Sequence, residues 1–419
     1  EKMGIGATVL MGPDNIYRSA IEPFTRDDMS EPNKVQIQRI LDVVWLKMTT
    51  DIAASRNITT EQINSIANEL KVRKPEDAVT LGLLDGVVYY DQILENLRGK
   101  LGLEADGEIE SVSIKDYVNS KSGGAKKSTD DKSWELKDEV AVIYAVGGIN
   151  SGEGDDENIG SETLAKAIRE ARTNEDVKAI VMRVVSPGGS AMASDVIWRE
   201  AKLAAETKPF VVSFGSVAAS GGYYISTHAK RIFANENTIT GSIGVFGIIP
   251  DARELLTEKM GITFDGVKTN AHADFGSMKH GFDEAELTLL SEYVSETYRE
   301  FVSRVAEGRG MTYEEVDSIA RGRVWIGADA ISIGLVDEIG GMDDAIAYAA
   351  KEAGLESYDL IELPKQKDPW ESFFEDLSGN AKAQVGNWVF GNEYEWVKKV
   401  EELKTMQGIQ TRMMFDIKV

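Results

Sequence analysis

Ser220 follows an apolar, β-branched run, Phe210, Val211 and Val212, that the pattern ends at Gly215, and it leads Gly221, Gly222 and a helix-like apolar segment. A hydroxyl at a helix start lies beside backbone N–H groups that lack intrahelical partners, where the dipole favours negative charge. An alkoxide, or the oxyanion of an attacked carbonyl, would be stabilised there. The same pattern suits an ordinary serine N-cap with glycine packing behind it, and the local pattern leaves both readings open. A second glycine turn changes the balance. Residues 178–185 (KAIVMRVV) read as a buried strand that ends in Ser186-Pro187-Gly188-Gly189-Ser190, before a helical pattern over 191–206. Both turns fall at the carboxyl end of a strand, where open α/β sheets place their sites. One can supply a nucleophile and the other the N–H groups of an oxyanion hole, the division of labour that acyl transfer needs. Plain turn glycines are the other reading of Gly188 and Gly189.

The elements around these turns alternate. A strand over 140–146 (VAVIYAV), a helix after Ser161, the two strand-turn-helix units and the paired segments 231–234 and 238–245 predict an α/β domain with buried parallel strands. The chain also repeats itself. ITTEQINSIA at 58–67 resembles MTYEEVDSIA at 311–320, and Gly82-Leu83-Leu84-Asp85 resembles Gly334-Leu335-Val336-Asp337 at nearly the same offset. Two matches in register predict an internal duplication. The boundaries follow: residues 1–104 as the later half of a first copy, 105–138 as a linker, 139–350 as the complete second copy and 351–419 as a C-terminal extension. Within the linker, KSGGAKKSTDDKS at 121–133 reads as a flexible loop. The extension carries a helical pattern over 393–406 and the aromatics Trp370, Phe373, Phe374, Trp388, Phe390 and Trp396, expected to dock on the body or on a neighbouring subunit.

Composition narrows the chemistry. At 419 residues the chain is long enough for two or three domains, and its hydrophobic and charged fractions are those of an ordinary globular protein. A net charge of −24 argues against nucleic acid as a partner. With no cysteine, disulfides and thiolate chemistry are excluded. The three histidines, His228, His272 and His280, have no metal-ligand spacing, and no cofactor is expected. His228 lies eight residues after Ser220 on the same predicted helix, too far along its axis for a Ser-His-Asp triad. The most apolar stretch, 210–225, is interrupted by Ser and Gly, so neither a signal peptide nor a membrane span is expected. The chain starts at Glu1 in mid-pattern, which reads as a fragment or processed form and leaves room for an anchor upstream.

SPGGS at 186–190, AASGGYYIST around Ser220, TGSIG at 240–244 and RSAIEPFTRDDMS at 18–30 together resemble the signal peptide peptidase A family, also called protease IV. The resemblance implies a Clp-protease/crotonase-like α/β fold, a superhelix of strand-strand-helix units in two tandem copies, here with the first truncated. It implies a serine endopeptidase that cuts residual signal peptides and other apolar peptides with a serine–lysine dyad. Ser220 then matches the nucleophile, Gly189 and the backbone at Gly221 the oxyanion hole, and Ser242 the hydroxyl that holds the base. A homotetramer at the periplasmic face of the inner membrane, in the cell envelope and attached through an upstream anchor, is implied as well.

The base position departs from the pattern. The family's lysine sits in a YKSAxEPF motif, whereas this chain reads Tyr17-Arg18-Ser19-Ala20-Ile21-Glu22-Pro23-Phe24. A lysine desolvated in an apolar site can fall towards neutrality and accept a serine proton, while arginine stays protonated. Single-copy relatives place their lysine where this chain has Ala273, and Val185 stands where Asn or Asp is usual. Arg18 thus has three readings: an inactivating substitution in an otherwise competent protease, a natural loss that leaves a peptide-binding or assembly protein, or a base supplied elsewhere. Lys268 and His272 are the nearest sequence candidates for the last. The fold also hosts acyl-CoA chemistry, so an acyl-CoA enzyme is a further alternative.

Overall fold

The computed structural model of the chain describes residues 4, 6–13, 16–17, 19–104, 107–113, 138–155, 157–270, 272–277, 281–364 and 408–412. Arg18, Gly-rich 121–133, the helix expected over 393–406 and the six aromatics of the extension lie outside the described residues. Two compact units are present, residues 1–43 with 137–419, and residues 44–136. No helix among the described residues is long and apolar enough to cross a membrane.

In chain order the strands are β1 (Gly6–Met11), β2 (Glu139–Val146), β3 (Gly148–Asn150), β4 (Asn158–Gly160), β5 (Val177–Ser186), β6 (Gly188–Ser190), β7 (Phe210–Ala219), β8 (Arg231–Ala234), β9 (Ile239–Gly241), β10 (Phe246–Asp251), β11 (Val324–Ile326), β12 (Glu338–Ile339), β13 (Asp359–Leu363) and β14 (Gly408–Arg412). One sheet runs β11-β9-β7-β5-β2-β13, parallel throughout except for the antiparallel β11–β9 pair. The other runs β1-β10-β14-β6-β3-β4. This is the α/β class that the alternation of elements predicts.

The central strands are apolar along their length because both faces are covered. Ala141, Ile143, Ile180, Met182, Val212 and Phe214 turn to one side, where the helices Ser161–Thr173, Ala191–Ala205 and Glu284–Arg309 close a single large core. Val140, Val142, Ala179, Val181 and Val211 turn to the other and pack on Ala345, Ile346 and Ala349 of the helix Met342–Glu352. Leu164, Ile168 and Ala171, at helical spacing, show why the first of these helices docks as it does.

β7 does not stop at Gly215 as its composition suggests; it runs on to Ala219. Gly215 instead marks a change of partner. Residues 211–213 pair with β8, and residues 217–219 pair with β9. A Cβ at Gly215 would come within 2.6 Å of Val185 Cγ2, and the Gly215 carbonyl accepts from Thr238 Oγ1 at 2.7 Å. The segment expected over 238–245 accordingly divides, with β9 ending at Gly241 before β10 starts at Phe246.

The sequence repeat is matched by a repeat of local devices. The helices Glu31–Arg56 and Glu284–Arg309 are each 26 residues long. Each is followed by a left-handed residue, Asn57 at φ 54° and Gly310 at φ 65°. Capping boxes come next, Thr59 with Gln62 and Thr312 with Glu315. Gly82 and Gly334 then turn the chain at φ 76° and 78°. Asp85 pairs with Arg56 at 2.8 Å, as Asp337 pairs with Arg309 at 2.5 Å.

His228 is not on a helix with Ser220, because that helix ends at Tyr224. Trp198 Nε1 donates to His228 Nδ1 at 2.9 Å, so the neutral ring carries its proton on Nε2, which lies 3.5 Å from Glu307. Burial holds the His228 pKa below its ordinary value, Lys202 and Arg304 push the same way, and Glu307 opposes them. The unfolded chain therefore binds more protons than the folded one just below the ordinary histidine pKa of about 6.5. Stability should fall as the pH drops through that window, by at most about 1.4 kcal/mol per pH unit from this one group. Urea midpoints at pH 7.5, 6.5 and 5.5 should show a flatter dependence in His228→Gln; an identical slope in both proteins would assign the effect elsewhere.

Candidate active site

Ser220 occupies the corner where β7 gives way to the helix Gly221–Tyr224, with φ 54° and ψ −116°. A non-glycine residue held there costs about 1–3 kcal/mol, and it persists only where its surroundings over-determine it. Two main-chain bonds do so. Ser220 N donates to the Gly241 carbonyl at 2.8 Å, and the Ser220 carbonyl accepts from Tyr224 N at 2.8 Å. The residue is fully buried, and its side chain makes no capping hydrogen bond. Ser190 provides the contrast, since its hydroxyl caps its helix by accepting from Ala193 N at 3.3 Å. Of the two readings of Ser220, the helix cap is therefore excluded. The helix that follows is only four residues long, so the expected dipole is too short to matter, and any stabilisation of charge must come from individual N–H groups. Gly221 stands at the first helical position, where a backbone N–H has no intrahelical partner.

The SPGGS turn is locked onto this corner. A Cβ at Gly222 would lie 2.7 Å from the Ser186 carbonyl oxygen, so glycine is what lets the two turns meet. Gly188 adopts φ 97° and donates its N–H to Ser186 Oγ at 3.1 Å. Gly189, in β6, pairs with Ile149 of β3, and a Cβ there would fall 2.0 Å from the Ile149 oxygen. No side chain fits at 189, so whatever the position does is done by its backbone. The other edge of β6 is antiparallel to β14, with Thr411 opposite Gly189, and β14 is antiparallel in turn to β10, with Ile409 opposite Gly247. The gap between β6 and β10 thus holds one extended strand.

Ser242 is buried, at φ 50°, directly after left-handed Gly241, and its N–H donates to the Arg323 carbonyl at 2.7 Å. Gly241 is the residue whose carbonyl receives Ser220 N–H, so one hydrogen bond and one peptide link join the two serines. That anchoring carbonyl was not among the residues the sequence singled out, although the glycine of TGSIG marks it. Gly322 N donates to the Ile243 carbonyl, and β11 pairs with β9, so the loop 321–324 carries the Ser242 turn.

Position 18 lies outside the described residues, but its neighbours are placed. Tyr17 N donates to the Arg321 carbonyl at 3.4 Å. Ala20 and Ile21 are buried against Phe246 and Ile248 of β10 and Val9 of β1. Tyr17 thus meets the loop that holds Ser242, and Ala20 and Ile21 meet β10 and β1. The other base candidates are engaged with acids: Lys268 pairs with Asp274 at 3.1 Å, and His272 Nδ1 lies 3.3 Å from Glu286 and 3.5 Å from Asp283. Ala273 sits in a turn that donates to the Asn270 carbonyl, and Val185 packs over Gly215.

Because glycine is at home at positive φ, Ser220→Gly should raise stability relative to Ser220→Ala by about 1 kcal/mol, although both remove the hydroxyl. Denaturant midpoints of the two variants test this; equal midpoints would mean that the corner stores no backbone strain.

Peptidase family S49 matches residues 1–104 and 202–356. Protease 4 of Salmonella typhi is 36% identical over 382 residues, which cover 88% of this chain and 59% of that protein. The chloroplastic serine protease SPPA of Arabidopsis thaliana is 32% identical over 409 residues, 95% of this chain and 58% of that protein. The chain therefore spans rather more than half the length of these relatives. A ClpP1 mutant from Listeria monocytogenes aligns with 49% of this chain and 94% of its own, at a TM-score of 0.33 and 17% identity, too distant a likeness to add weight. The family match, over motifs that converge on one corner of an α/β fold, settles the assignment: the chain belongs to Peptidase family S49.

Proposed function

We propose that the chain is a serine endopeptidase of the signal peptide peptidase type, acting on residual signal peptides and other apolar peptides, with turnover impaired here because Arg18 stands at the lysine position. With a lysine at position 18, Ser220 Oγ attacks the scissile carbonyl and forms the acyl bond while its proton passes to that lysine amine and then to the departing amine, and water afterwards hydrolyses the ester; Arg18 cannot take the proton. The amides of Gly189 and Gly221 receive the oxyanion, and Ser242 holds the base. The observation that carries the reading is Ser220 itself: buried, held at a costly φ and not spent on a cap. β14 pairs with both β6 and β10, so an extended strand can be held beside Gly189; a substrate peptide bound in the same way would take the place of residues 408–412. In this reading residues 1–104 furnish the base and residues 139–350 the nucleophile, in a homotetramer at the periplasmic face of the inner membrane.

Arg18 favours a second reading, a silent peptide-binding protein on the same scaffold. Arginine keeps its proton at any working pH, and a missing general base removes about 10²–10⁴ in rate. Arg18→Lys should therefore raise kcat/KM on an apolar peptide ester by about 100-fold or more, and Ser220→Ala in that background should abolish the gain. Equal and substantial activity in the Arg18 chain and in its Arg18→Lys variant would show that position 18 is not the base. No turnover in either, with apolar peptides bound equally well by Ser220→Ala, would establish the silent reading.

A further inference from the structure

The helix Glu31–Arg56 begins against the RSAIEPF segment, and its Gln36 is nine-tenths or more buried. The Gln36 amide is used at both ends. Its Nε2 donates towards the Tyr17 carbonyl at 3.2 Å, Ser19 Oγ at 3.4 Å and Asn33 Oδ1 at 3.1 Å. Its Oε1 accepts from Val324 N at 3.1 Å. Three acceptors face one end and an N–H faces the other, so the amide can point only one way. Tyr17 and Ser19 flank position 18, and Val324 stands opposite Gly241 in the β11–β9 pair. One side chain thus spans from the Tyr17 carbonyl and the Ser19 hydroxyl, on either side of position 18, to the strand beside the residue whose carbonyl holds Ser220 N–H. Behind it, Asn33 Nδ2 donates to Glu22 at 2.8 Å, and Glu22 also receives Ser30 Oγ, which sets the angle at which Asn33 meets Gln36. This gives the glutamate of the EPF motif a task that its sequence context does not disclose.

We propose that Gln36 is a positioning residue: it clamps the chain on either side of position 18 to the loop 321–324, and so sets the distance from the base to Ser220 and Ser242. The inference rests on the reading of position 18 as the base site. A clamp of this kind touches no substrate. Its loss should lower kcat and leave KM nearly alone, because the reacting groups drift apart while the peptide groove is untouched.

The test uses the Arg18→Lys chain and adds Gln36→Glu, which keeps the acceptor and removes the donors, or Gln36→Met, which keeps the bulk and removes both. Steady-state turnover of an apolar peptide ester should show kcat lower by about 10-fold or more, with KM within about 3-fold. Hydrogen exchange read by mass spectrometry should speed up by about 5-fold or more in peptides covering 16–24 and 320–326, with the strand 177–186 unchanged. Unchanged exchange at those two segments overturns the proposal, as does unchanged kcat on an active Arg18→Lys background. If Arg18→Lys by itself gives no turnover, the base-site reading fails on that result alone, and exchange then decides whether Gln36 is a clamp.

Discussion

The hydrogen bond from Ser220 N to the Gly241 carbonyl is the contact on which the rest of the site depends. It forms only because β7 exchanges one neighbour for another at Gly215, leaving β8 and reaching β9 with its last residues. The exchange brings the end of β7 beside Gly241, and the bond holds Ser220 in a conformation that a free chain would avoid. A serine in a relaxed helix start would have turned its hydroxyl back onto the helix, as Ser190 does. The strain keeps Ser220 from doing so.

Close approach of backbones is the second constraint. Gly222 lies on the Ser186 carbonyl and Gly189 lies on Ile149, each at a spacing that no Cβ would tolerate. At both places the absence of a side chain brings peptide groups together, and peptide groups are what an oxyanion requires. The main chain is also dense around Ser242, where left-handed Gly241 and Ser242 hang from the Arg323 carbonyl. In the proposed reading, backbone groups held this way would need little reorganisation when charge develops.

The segment around position 18 is held by different means. It joins the site through buried side chains, Ala20 and Ile21 in an apolar contact with β10 and Gln36 in a polar one with Val324. Hydrogen bonds through a side-chain amide are individually modest, yet a buried amide left unpaired is costly, so the Gln36 contacts count for more than their individual strength. The described contacts of the segment are made by residues other than the one at position 18.

Much of this was legible in the chain itself. The buried parallel strands, the helices at 161–173 and 191–205 and the repeat around 58–85 and 311–337 follow from periodicity and turn residues, because those signals are local. The glycines at 188, 189 and 222 stand out for the same reason, and so does the arginine at a position where the motif calls for lysine. What local signals misjudge is the course of β7 through Gly215 and the length of the helix after Ser220, since both are set by partners distant in sequence. Only tertiary structure separated a strained corner from a capped helix, because the difference lies in a backbone angle imposed by Gly241. Only tertiary structure likewise linked Gln36 to Val324, 288 residues away, since an isolated glutamine carries no pattern that says which buried N–H it will meet.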